Sequence, residues 1–203
     1  MKTRSYNMTA RADAAAATGE RILDAALAVF WEKPTDHVVL ADIADRAGVT
    51  VQTVLRRFGN REGLIVAAAE RSASTIGAQR NAARVGDIED IVRVLLDHYE
   101  ELGPGVLRML AAEESSPGLR DIIENGRTFH RDWCERCFAP FLADLTPAAR
   151  TRRVAQLAAI CDVYVWKVLR HDNGLTRRQT HTALVDLLDR LTSPAAPPAP
   201  EEP

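Results

Sequence analysis

"AGVTVQTVLRRFGNREGL", residues 47–64, sets a threonine-led apolar run among arginines. Arg46 just before it and Arg56, Arg57 and Arg61 within it face a single acid, Glu62. Gly48 predicts a tight turn, because glycine takes positive φ without a Cβ clash. Thr50 predicts the cap of a two-turn helix, its hydroxyl accepting the backbone N–H of Gln52 or Thr53. Within "VQTVLRRF", Val54 and Phe58 are four apart and share a face, with Leu55 beside them. Upstream, "LADIADRA" turns Leu40, Ile43, Ala44 and Ala47 inward. Two short helices meeting at Gly48 read as a helix-turn-helix. In that motif the first turn of the second helix reaches base edges in the major groove, while flanking basic groups hold phosphates. Val51, Gln52 and Thr53 occupy that turn. Gln52 donates and accepts at once, which suits bidentate reading of adenine, and Val51 suits a thymine methyl.

The charge of the rest of the chain sharpens this reading. The 203 residues carry a net charge of −2, with 46% hydrophobic and 27% charged residues, a globular profile. Residues 1–71 hold ten Lys/Arg against nine Asp/Glu, and residues 72–203 hold sixteen against nineteen. The basic excess is therefore local, between Arg46 and Arg61. Phosphate binding needs a local excess, since each contact neutralises one charge and releases a counterion. No apolar run approaches the roughly 18 residues that cross a membrane. The N-terminus lacks the apolar core of a secretory signal. Three cysteines without framework spacing suit a reducing cytoplasm. A soluble cytoplasmic protein without a membrane partner is expected.

Outward from the motif, the pattern is helical throughout, and an all-α fold of about nine helices is expected. Residues 1–16 show no apolar periodicity and read as a disordered arm. From Thr18, Ile22, Ala26 and Phe30 form one stripe and Leu23, Leu27 and Trp31 its neighbour, ending before Pro34. Asn60 caps a fourth helix. Further helices are expected over 87–101, over 104–115, and from Pro117 to about 138. Thr146-Pro147 starts an unbroken helix to about His171, closed by Asn173-Gly174. Thr176 caps a last helix over 177–192, with Leu184, Leu188 and Leu191 in register. The proline-rich tail reads as disordered. The expected organisation is an arm at 1–16, a DNA-binding domain at 17–62, a ligand-binding and dimerisation domain at 63–193, and a tail at 194–203.

"RILDAALAVF" followed by "LADIADRAGVTVQTVLRRFGNREGLIVAA" resembles the N-terminal domain of the tetracycline-repressor (TetR) family of transcriptional regulators, from about Arg21 to Ala69. The resemblance implies an all-helical homodimer on a palindromic double-stranded operator, probed by two reading heads. It also implies a larger body that senses a small-molecule effector, whose binding releases the DNA, as in a repressor. Thr50, Thr53, Arg57 and Arg61 stand where family members commonly touch DNA, and Arg56 adds to them. Leu55 replaces a frequent tyrosine of the recognition helix. Val39 replaces the usual threonine cap of the second helix. The last two helices, 146–171 and 177–192, are expected to form a four-helix bundle with their two-fold mates.

In the body, Trp133 and Tyr164 combine apolar surface with a hydrogen-bonding tip and are expected to face a ligand, with His98 and Met109. An alternative uses "HRDWCERC", where His130, Cys134 and Cys137 line one helix face near Cys161, as a metal- or redox-sensing set. No resident metal or cofactor is expected. An enzyme is the rival class, but the chain has no phosphate loop, dinucleotide fingerprint, nucleophile elbow or zinc-protease motif. An all-helical binding protein without DNA function is the other rival.

Overall fold

A computed structural model describes residues 3–33, 37–114 and 119–193, and the tail expected at 194–203 lies outside the described residues. The α-helices are α1 (Thr3–Glu32), α2 (Leu40–Ala47), α3 (Val51–Phe58), α4 (Arg61–Asn81), α5 (Ile88–Ala111), α6 (Arg120–Cys137), α7 (Pro147–Ile160), α8 (Val163–Lys167) and α9 (Arg177–Thr192). Among the described residues there is no strand, and the fold is all-α. The chain divides into two compact units. One takes the chain to Ala78 together with Leu102–Arg127, and the other takes Gln79–Glu101 and the chain from Thr128. Helices α4, α5 and α6 therefore each contribute to both.

The first unit is built on small aliphatic side chains. Ile22, Ala25, Ala26 and Val29 of α1 pack with Ile43, Ala44 and Ala47 of α2, Val54 of α3, and Leu64 and Ala68 of α4. The alanines let the helices approach closely, and Leu23, Phe30 and Phe58 close the margins. In the same unit the Trp31 ring lies against Gly105 of α5, where any Cβ would collide with it.

Three elements differ from their expected forms. Helix α1 starts at Thr3, so residues 3–16 are helical where an arm is expected. Residues 10–17 are exposed, so their helicity rests on the propensity of the alanine run rather than on burial. Helix α5 is continuous through Pro104 and joins the two helices expected over 87–101 and 104–115. Proline there forfeits one backbone bond without ending the helix.

The helix expected to run unbroken to His171 stops at Ile160. Asp162 is extended (φ −78°, ψ 151°) and caps α8 by accepting the Tyr164 N–H at 2.9 Å. The carbonyl of Cys161 is taken instead by the buried Tyr99 hydroxyl, which donates to it at 2.9 Å. After α8 the chain makes one wide turn over Val168–Asp172. It then enters α9 through a full capping box of Thr176 and Gln179.

Candidate nucleic-acid interface

The turn between α2 and α3 is held by backbone geometry. Gly48 takes φ 65°, and its N–H and that of Val49 close onto the carbonyls of Asp45 and Ala44. Thr50 caps α3, its Oγ1 accepting the Thr53 N–H at 3.2 Å. Val39, the departure from a threonine cap, makes no side-chain cap on α2. Val54 is fully buried and locks α3 to the core. With that face inward, Thr50, Val51, Gln52, Arg56 and Arg57 are exposed and Thr53 is half-buried. These residues lie on or beside one helix, so the reading turn is presented outward.

The far end of α3 is fixed as tightly. Gly59 takes φ 79°, and Asn60 caps α4 by accepting the Gly63 N–H at 2.7 Å. The Phe58 carbonyl comes so close to Gly63 that a Cβ there would lie 2.3 Å from it. Glycine at 63 thus sets the approach of α4 to α3.

The arginines divide by role. Arg46 is held by Glu32 of α1 through two hydrogen bonds of 2.8 Å, so it adds little to a basic surface. The guanidinium of Arg57 lies over Gly19 of α1. Arg61 is half-buried, and its Nε donates to the Val38 carbonyl at 2.9 Å, bracing the entry to α2. Arg56 is exposed at the end of α3.

Residues 22–68 match the family described as "Bacterial regulatory proteins, tetR family". Over that stretch, which holds the helix-turn-helix, the chain is similar to these regulators. Solved structures share the fold. A transcriptional regulator from Rhodococcus sp. Rha1 superposes with a TM-score of 0.68 at 19% identity, covering 85% of this chain and 95% of that one. SmeT in complex with triclosan gives 0.64 at 22% identity, covering 92% and 100%. NalD of Pseudomonas aeruginosa, the secondary repressor of the MexAB-OprM multidrug efflux pump, gives 0.57 at 20%, covering 87% and 96%. A search of curated protein sequences gives no match. Among the described residues no helix is long and apolar enough to cross a membrane.

In the second unit the residues expected to face a ligand separate. Trp133 is buried, donates its indole N–H to the Arg80 carbonyl at 2.8 Å, and carries the Arg80 guanidinium over its ring at 4.0 Å. His98 is also buried, its Nδ1 3.3 Å from Gln79 Oε1. Burial, then the charge of Arg80, pushes the His98 imidazole down to about 3, so it is neutral at ordinary pH. Tyr164 is 53% exposed, turned out by the break at Asp162. Met109 is half-buried and belongs to the first unit. An open groove between Val85–Glu89, Pro140, Phe141 and the end of α9 contains none of the four.

The cysteine set also divides. Interaction with Cys161, and then with His130, draws the Cys134 thiol below its usual range. Burial pushes Cys137 up to about 11. His130 accepts from Arg80 Nη2 on Nδ1 at 3.1 Å and donates from Nε2 to the Ala158 carbonyl at 2.9 Å. Both imidazole nitrogens are occupied. Among the described residues no three His, Cys, Asp or Glu side chains converge to hold a metal ion.

Sequence reasoning missed Arg80. It is a single arginine in the last turn of a polar helix, and nothing in its spacing separates it from a solvated one.

Proposed function

We propose that this protein is a transcriptional regulator of the TetR family, a ligand-responsive repressor that binds a palindromic operator as a homodimer and is released by a small molecule. The observation that carries the DNA half is the outward first turn of α3, with Gln52 and Val51 exposed beside Arg56 and Arg57. Gln52, Val51 and Thr53 read bases in this proposal. Thr50, Arg56, Arg57 and Arg61 hold the backbone. Effector release is supported by a fold neighbour solved with triclosan bound, and repression by NalD being a repressor. The test is selection of bound sequences from a random DNA pool. An inverted repeat with half-sites about one helical turn apart, or a multiple, is expected. Enrichment of single half-sites would overturn the dimer reading.

The dimer is proposed to form through the outer faces of α7 and α9. Leu184 and Leu188, two members of the α9 stripe, are buried within their own chain, whereas Leu187 is 44% exposed. Deleting 176–203 would therefore strip the protomer's own core as well as an interface. Leu187→Glu is the sharper test, expected to sediment as a folded monomer with weakened operator binding. An unchanged dimer would place the interface elsewhere.

A redox-sensing regulator is the second reading, favoured by the buried pair Cys134 and Cys161, whose interaction draws the Cys134 thiol down and pushes Cys161 up.

A further inference from the structure

The second unit buries a cation with no carboxylate ion-paired to it. Arg80 is 3% exposed, and its Nε–H is buried without an acceptor. Its Nη2 donates to His130 Nδ1 at 3.1 Å. Its faces meet the rings of Trp133 at 4.0 Å and Phe129 at 5.8 Å. The buried acid of the same unit, Asp90, is already held by Arg93 and by the backbone N–H and side chain of Arg84. Cys134 approaches His130 from its Nε2, at 3.9 Å, whereas Arg80 is at Nδ1, so an imidazole separates thiol and guanidinium. A guanidinium is cationic throughout the biological range, and burying one without a counter-charge is costly.

We propose that Arg80 anchors a binding site for a small organic monocarboxylate with a flat apolar body, and that this class is the effector. The proposal rests on the ligand-responsive reading above. One buried cation balances one negative charge. A carboxylate accepts a pair of hydrogen bonds across the Nε–H and a neighbouring Nη–H, the geometry that arginine offers in preference to lysine. Trp133 and Phe129 supply flat apolar surface for the body of the ligand. The Trp133 N–H is already engaged, so Trp133 contributes its ring only. Arg80 lies in the last turn of α4, which begins at Arg61 directly after the recognition helix. A ligand that draws on Arg80 therefore draws on the helix that follows the reading head.

The test uses the full chain, kept reduced, with matched probes: benzoate, phenylacetate and cinnamate against benzamide, phenylacetamide and cinnamamide. Isothermal calorimetry is expected to show at least one acid binding, with its amide weaker by about tenfold or more. Arg80→Met should lose the acid while melting no lower than wild type without ligand, because an unpaired buried charge has been removed. Arg80→Lys should keep a reduced preference for acid over amide. No acid binding, acid and amide binding alike, or an Arg80→Met protein that binds the acid as wild type does would each overturn the site. If Arg80→Met does not fold, the acid–amide comparison on wild type decides. Operator release is read separately by fluorescence anisotropy. An acid that binds at Arg80 but leaves DNA bound keeps the site and removes the release mechanism. A neutral compound that releases DNA while no acid binds keeps the regulator reading and removes the site.

Discussion

The helix-turn-helix head and the second unit place their polar groups in opposite ways. The head is filled by Ile22, Val29, Ile43, Val54, Leu64 and a set of alanines, and its polar side chains lie outside. The buried polar side chains among the described residues, Arg80, Asp90, His98 and Thr180, all belong to the second unit. A surface that reads DNA needs a rigid apolar frame and an exposed turn. An interior that recognises a small molecule needs polar groups already desolvated and held by neighbours. In the proposed function the two jobs place opposite demands on where polarity sits, so each unit should respond to a different perturbation.

The largest effect is expected from steric pressure on the head. Gly63→Ala sets a Cβ 2.3 Å from the Phe58 carbonyl, a backbone atom that cannot swing aside. Relief requires α3 and α4 to part, costing about 1–3 kcal/mol by analogy with overpacking. Operator binding should fall further than stability, because the recognition helix itself is displaced. Gly126→Ala is the control: this exposed glycine in α6 has open space around it, so alanine should stabilise by roughly 0.5–1 kcal/mol. Equal operator affinity in the two variants, measured alongside chemical denaturation, would show that the head tolerates movement at Gly63.

Acid should act on the second unit. His98 has a folded pKa of about 3, depressed from 6.5 by burial and then by Arg80. Between those values the unfolded chain binds the proton and the folded one does not. Its contribution to stability is therefore fully present above pH 6.5 and is lost as pH falls towards 3, with a slope of at most about 1.4 kcal/mol per pH unit. His98→Gln should flatten denaturation midpoints between pH 7 and pH 5 relative to wild type. Parallel slopes in the two proteins would mean that His98 is not held neutral.

These contrasts also explain what could be read from the sequence. The Gly48 turn, the Thr50 cap, the Asn60 cap and the Thr176–Gln179 box are local: each needs only residues three or four positions apart. The break after Ile160 depends on Tyr99, which takes the Cys161 carbonyl from 62 positions away, and no local pattern announces it. Tyr164 could be placed outward only once that break was known. Arg80 was illegible for the same reason. Its burial follows from Trp133, His130 and Phe129 on a helix fifty residues later. On the DNA side, the exposure of Val51 and Gln52 follows from the burial of Val54. The bracing of Arg61 on Val38 instead required the tertiary structure.

Base reading is the next smaller effect. Gln52→Ala removes an exposed side chain that touches nothing in the core, so the melting point should hold. A lost bidentate contact is worth roughly 1–3 kcal/mol of discrimination. The variant should therefore relax preference at one symmetric pair of operator positions and leave non-specific affinity nearly intact. Binding to every single substitution of the selected operator, at fixed salt, reads this out. An unchanged preference profile would leave Val51 and Thr53 as the readers.

The smallest effect separates two arginines that look alike in sequence. Arg56 is exposed at the end of α3, so its loss should cost only a phosphate contact. Arg56→Ala is expected to weaken all DNA sequences alike and flatten the dependence of log affinity on log salt by about one unit per protomer contact, with stability unchanged. Arg61 is different, because its Nε also holds the Val38 carbonyl at the entry to α2. Arg61→Ala should remove the same electrostatic increment and, in addition, lower stability by about 1 kcal/mol, the usual net worth of one hydrogen bond. Arg61→Lys separates the two roles, since it keeps the charge while losing the Nε donor. It should restore most of the salt dependence but not the stability. If Arg56→Ala lowers the melting point as Arg61→Ala does, Arg56 belongs to the frame of the head rather than to its DNA surface. If Arg61→Ala leaves the melting point unchanged, the bond to Val38 carries no weight, and both arginines act only through phosphate.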